Sequence, residues 1–151
     1  MQRPITLVGR GPFALVHHPD VGLLLVRLII AAVGVFHGAQ KLFGIWGGAG
    51  LRGFADFLAS IEMPLPMVGA VAAALSELVG GLLIGIGFAT RVAAFFFMFT
   101  MVVAIATVHR HAFDAQAGGM EYPLTLAVVC AALILTGPGR VSLDQAIFGR
   151  K

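Results

Sequence analysis

The sequence is built from long apolar runs broken by short polar turns. The run from Val92 to Val108 contains no ionisable side chain at all. Similar runs cover about 21–43, 67–88 and 122–137, each near the ~20 residues that a helix needs to cross a bilayer. Backbone polar groups in lipid must be satisfied within the segment, so such runs fold as transmembrane helices. Apolar residues make up 59% of the 151 positions and charged residues 11%, against about 45–50% and about 25% in soluble domains. These figures exclude a disordered chain, a disulfide scaffold and a water-soluble enzyme. The sequence predicts an all-α integral membrane protein, an antiparallel four-transmembrane-helix bundle.

The punctuation supports that organisation. Residues 1–20 contain Pro4, Pro12, His17, His18 and Asp20, without the clean apolar core of a cleavable signal. They read as a cytoplasmic or interfacial leader, partly helical near Phe13 to His17. Residues 21–147 form the membrane domain and 148–151 the tail. Between spans one and two, Leu51, Phe54, Ala55, Leu58 and Ile61 recur at helical spacing, which predicts a short interfacial helix. Pro64 and Pro66 end it.

Ten Lys or Arg against seven Asp or Glu give a net charge of +3. No basic stripe interleaves with aromatic residues, which argues against nucleic acid. The basic residues set topology instead. Arg3, Arg10, Arg91, Arg140, Arg150 and Lys151 fall on the side of the termini, and Lys41, Arg52 and Arg110 on the other. That bias predicts both termini in the cytoplasm. Cys130 stands alone, so no intramolecular disulfide forms, and it reads as a small buried hydrophobe.

Charges inside a bilayer are costly, which singles out Arg27 and Glu77. Arg27, Gly34, His37, Gly38 and Lys41 share about 100° of arc on the first helix. On the second long helix Glu77 is followed by Gly80 and Gly81, and Gly81 pairs with Gly85 in a small-xxx-small spacing for close packing. Measured from the inner span ends, Arg27 lies at about 9 Å and Glu77 at about 16 Å depth, close enough for an ion pair. Arg27, Glu77, His37 and Lys41 are therefore the candidate buried polar site. The plainer alternative is an ion pair that only neutralises two buried charges and fixes helix register. Topology adds an outer-face cluster of Gln40, His109, His111 and Glu121, read either as headgroup contacts or as a polar pocket. His109 and His111 are two apart, a poor helical ligand spacing, which argues against haem or a metal.

The ordered pattern resembles the DoxX family. It is carried by Arg27, by His37-Gly38-Ala39-Gln40-Lys41-Leu42-Phe43-Gly44 and by Glu77 with Gly80-Gly81. Gly85 to Arg91, Gly119-Met120-Glu121-Tyr122-Pro123 and Gly137 to Asp144 complete it. The resemblance implies a four-helix bacterial inner-membrane protein linked to redox metabolism. Similar proteins are subunits of a membrane thiosulfate:quinone oxidoreductase, and others belong to membrane complexes with superoxide- and thiol-handling enzymes. With one cysteine and no flavin motif, catalysis here would need a partner chain or a bound quinone. The expectation is an accessory or quinone-interacting subunit of a membrane redox system. Its partners would be the bilayer, a membrane or peripheral redox protein and a second copy of the chain. A non-catalytic scaffold or a small-solute transporter is the alternative.

Overall fold

The computed structural model describes residues 19–149. The expected leader helix near Phe13 to His17 lies outside the described residues. The chain forms α1 (Pro19–Phe43), α2 (Gly50–Ser60), α3 (Pro66–Ile86) and α4 (Thr90–Ala104). A π-helical turn, Ile105–His109, continues α4; a 3-10 turn, Ala115–Ala117, precedes α5 (Glu121–Thr136) and α6 (Leu143–Phe148). No strand occurs among the described residues.

The helix ends follow local chemistry. Pro19 and Pro66 open α1 and α3, where a missing N–H costs nothing. Asp20 lies in the first turn of α1, on the favourable side of the helix dipole. Gly87, at φ +71°, closes α3, with Gly87 N–H donating to Ile84 O and Phe88 N–H to Leu83 O. After α5 the chain forms a further short helix that the apolar runs do not predict. Ser142 Oγ accepts from Gln145 N at 3.2 Å and Asp144 sits in the first turn, a combination that starts α6.

Helix α1 packs along α3, α3 along α4 and α4 along α5, and α5 touches α1; α2 lies against α3 and α1. The main core joins Ile30, Ile84, Phe97, Met101, Cys130 and Leu133. A smaller one, Ala55, Leu58 and Ala70, seats α2. Leu25, Ile29, Phe96, Phe99, Val128 and Leu135 point outward, as a surface solvated by lipid requires. Helices α1, α3 and Thr90–His109 are long and apolar enough to cross a membrane, and α5 is a shorter apolar helix. The protein is an all-helical membrane protein.

Candidate functional site

Glycine sets the register between α1 and α3. A Cβ on Gly34 would lie 2.6 Å from Glu77 O and 3.1 Å from Gly81 Cα, and a Cβ on Gly38 would overlap the Leu78 backbone. Backbones therefore meet here as closely as helices can. Gly85 continues the seam, where a Cβ would come 2.8 Å from Ala31 Cβ. Gly80 faces the other way, toward Ala93 O of α4.

This seam decides which charges meet. Lys41, in the last turn of α1, reaches Glu77: Nζ to Oε2 is 2.5 Å. Glu77 is 4% exposed. An unpaired carboxylate at that position would be costly, and a paired, hydrogen-bonded one is tolerable. Lys41 Nζ also lies 5.5 Å from the centroid of the Phe54 ring on α2, a cation–π contact. His37 sits one turn earlier on α1, with its ring 6.1 Å from that of Tyr122 at the start of α5.

The expected Arg27–Glu77 pair does not form, and Arg27 is not part of this site. Arg27 precedes Gly34 by about two turns, or roughly 10 Å. The seam therefore brings it level with Gly87 at the far end of α3, where a Cβ would overlap Arg27 Nη1. The inner ends of the two spans are not flush, because α1 overhangs α3 by about two turns.

Lys41, Glu77, His37, Tyr122 and His109 border one cavity of about 550 Å³. The rest of its wall is largely apolar, including Phe54 and Phe57 of α2, Ala72 and Ala73 of α3, and Val103 of α4. His109 belongs to the π turn, and its Nδ1 lies 2.7 Å from Gly118 O. A carbonyl only accepts, so that nitrogen donates, and Nε2 has no partner among the described residues.

The other expected outer-face residues do not line the cavity. Gln40 Nε2 donates to Trp46 O at 3.0 Å and shapes the loop after α1. The His111 ring lies between two carbonyls, Nδ1 at 3.1 Å from Val108 O and Nε2 at 3.0 Å from Ala117 O, and Glu121 Oε2 accepts from Ala115 N. The loop before α5 folds back on itself, with Met120 N–H donating to Ala112 O and Glu121 N–H to Phe113 O. Its own backbone thus engages His111 and Glu121. Tyr122 is a cavity residue that the charge-based reading missed. Its signal is modest: it is the chain's single tyrosine, four residues before Leu126, which lines the same wall.

Arg27 anchors a second cluster at the opposite end. It is 1% exposed, and its Nη2 donates to Val141 O at 2.5 Å. Asp144 accepts from Ala89 N at 2.7 Å and Thr90 N at 3.0 Å, which caps α4. Asp144 N–H donates to Gly87 O at 2.8 Å, and Arg140 N–H to Asp20 Oδ1 at 2.8 Å. Burial pushes the Asp144 carboxyl up, but the Thr90 and Ala89 N–H bonds and the Arg27 charge outweigh it and hold the group below the usual carboxylate range. This cluster clasps the C-terminal segment over the end of the bundle.

Comparison with known proteins followed the same outline. The sequence model of the DoxX family matches residues 22–110. The chain is 33% identical over 132 residues to a Bacillus subtilis (strain 168) protein named "Putative oxidoreductase CatD", covering 87% of this chain and 91% of that protein. It is 30% identical over 129 residues to "Inner membrane protein YphA" of Escherichia coli (strain K12), covering 82% of this chain and 88% of that one. No solved structure matches.

Proposed function

The chain belongs to the DoxX family, and from that premise we propose that it is the membrane subunit of a redox system whose cavity holds the ring of a quinone-type acceptor. The observation that carries the reading is the Lys41–Glu77 pair on the wall of a largely apolar cavity. A few convergent polar groups in an apolar pocket are the usual form of a small-molecule site, and about 550 Å³ falls in the usual range of volumes. The name of the Bacillus subtilis relative, an oxidoreductase, supports the same class of role.

The donor set fits a quinone ring. Lys41 Nζ and the Tyr122 hydroxyl are donors that can meet a ring carbonyl, and Phe54 offers an aromatic face beside them. A bound quinone would supply a two-electron, two-proton acceptor. The protein's own residues supply position and protons. Lys41 and Glu77 compensate each other's charge, which makes the pair tolerable at that depth. His37 stands between Lys41 and Tyr122 as a titratable ring. His109, fixed through Nδ1, presents Nε2 as the atom that can take a proton at the loop end of the cavity. Electrons would come from a partner redox protein.

Orientation completes the reading. Arg27, Arg91 and Arg140 gather at the end where α1 begins and α6 lies, which favours that end in the cytoplasm of an inner membrane. The cavity then opens toward the outer leaflet. The test is native mass spectrometry of the full chain purified in mild detergent from a quinone-replete bacterial membrane. A bound quinone mass that is lost in Lys41→Met supports the reading; empty protein, or a quinone retained equally in the variant, counts against it.

A further inference from the structure

Away from its charged end the cavity wall is largely apolar, and part of that wall is exposed. Near the middle of the membrane α3 and α4 are held together. Gly80 lies against Ala93, and Thr100 Oγ1 donates to Ser76 Oγ at 2.9 Å. Beyond that point, toward the outer end, the facing α3 residues are Gly69, Ala72 and Ala73. Leu58 and Met63 cover Gly69, but the side chains of Ala72 and Ala73 are too short to fill the space opposite Val103 and Ala104. Helix α2 covers part of it, but α2 packs on α3 and α1. The gap is edged by two aromatic rings, Phe57 of α2 and Phe99 of α4, which are 42% and 58% exposed while lining the cavity.

Glu77 lies about eleven residues into α3, or roughly 16 Å from its start, near the middle of a ~30 Å hydrocarbon layer. Ala72 and Ala73 lie nearer that start, roughly 10 Å in and still within the hydrocarbon layer, so a crevice there with apolar lips faces acyl chains, not water. A ligand that enters from lipid must carry apolar surface that the crevice can accept, because polar surface there would be left without partners. We infer that the α2–α4 crevice is a lateral portal and tail-binding groove, so that the ligand is an amphiphile whose hydrocarbon tail lies along Ala72 and Ala73 while its ring reaches Lys41 and Glu77. The inference rests on the quinone reading above and extends it. It makes a membrane-soluble, prenylated quinone the substrate class, and it makes Ala72 and Ala73 residues that discriminate tailed from tail-less forms.

The test compares two probes with one ring. One is 2,3-dimethoxy-5-methyl-1,4-benzoquinone without a tail, and the other is the same ring carrying two isoprene units. Affinities are measured for the full chain in nanodiscs, for wild type, Ala73→Leu and Ala72→Leu. Tail partitioning into lipid is common to all three proteins, so it cancels when the tailed-to-tail-less affinity ratio of each variant is divided by that of wild type. Ala72 is exposed, so Ala72→Leu fills the groove without crowding the core should Ala73→Leu fail to fold. The expected ratio falls about tenfold in the variants, the effect of losing burial of about two methylene groups. An unchanged ratio, with both probes binding, overturns the portal and leaves the quinone reading intact. Failure of wild type to bind either probe overturns both. A phospholipid chain resident in the groove would also leave the ratio unchanged, and it counts against the portal in the same way.

Discussion

Lys41 Nζ lies 2.5 Å from Glu77 Oε2, although Lys41 sits in the last turn of α1 and Glu77 lies midway along α3, so that nothing in their sequence spacing pairs them. The pair follows from three glycine contacts between α1 and α3. Removing one partner leaves the other charge buried. Glu77→Gln is expected to destabilise the protein by about 3 kcal/mol, at the low end for a broken buried pair because Lys41 is partly exposed. Combining it with Lys41→Met should recover most of that loss. Thermal unfolding of the two single variants and the double variant checks the coupling; additive losses would argue against the pair.

Arg27 and Glu77 behave as separate units. Arg27 is bound to Val141 O and lies beside Gly87, while Glu77 is bound to Lys41. The stability costs of Arg27→Gln and Glu77→Gln should therefore add to within about 0.5 kcal/mol. A double variant clearly more stable than that sum would show that the two charges interact directly.

The glycine seam predicts a sharp contrast between two positions in one helix. Gly38→Ala places a Cβ against the Leu78 backbone, which cannot yield as a side-chain tip would, and is expected to cost about 3 kcal/mol. At Gly22 a Cβ would meet nothing within 4 Å among the described residues, so Gly22→Ala should be neutral or stabilise by about 0.5–1 kcal/mol. Melting temperatures of the two variants measured side by side decide it, and similar values would contradict the close approach.

Asp144 gives the C-terminal clasp an acid limit. Its carboxyl is held below its ordinary value of 3.8 in the folded chain. A depressed carboxylate contributes stability that is present above the unfolded value and lost as pH falls through the folded one. Protease resistance of residues 137–149 should thus be constant above about pH 5 and fall as the medium becomes more acidic than the ordinary carboxylate range. Asp144→Asn should weaken the clasp already at neutral pH. A wild-type clasp that loosens on raising pH from 5 to 8 would contradict this assignment.

Much of the fold is legible in the residues. The apolar runs fix the spans, and Pro66, Gly87, Pro123 and Gly137 mark their ends, because lipid leaves helices few alternatives. The periodicity of Leu51 to Ile61 locates α2 to within one residue at each end. Helix register is not legible in the same way. It depends on which glycine meets which backbone across α1 and α3, and about four turns of α1 separate Arg27, the expected partner of Glu77, from Lys41, the observed one. Tyr122 escapes a reading based on charge because it is neutral. Conversely, His111 and Glu121 draw attention as titratable residues, yet the loop backbone beside them takes up their hydrogen bonds.

The proposed role stands or falls on whether the charged end of the cavity recognises a quinone ring. The direct measurement is the dissociation constant of tail-less 2,3-dimethoxy-5-methyl-1,4-benzoquinone for the wild type, for Lys41→Met with Glu77→Gln, and for Tyr122→Phe, each first shown to be folded. The expected result is saturable binding to the wild type, weakened about tenfold or more in the double variant and about three- to tenfold in Tyr122→Phe, the loss that one or two hydrogen bonds to the ring would bring. Wild-type protein that binds no ring saturably, or variants that bind it as tightly as wild type, would contradict the assignment of Lys41, Glu77 and Tyr122 to a quinone site.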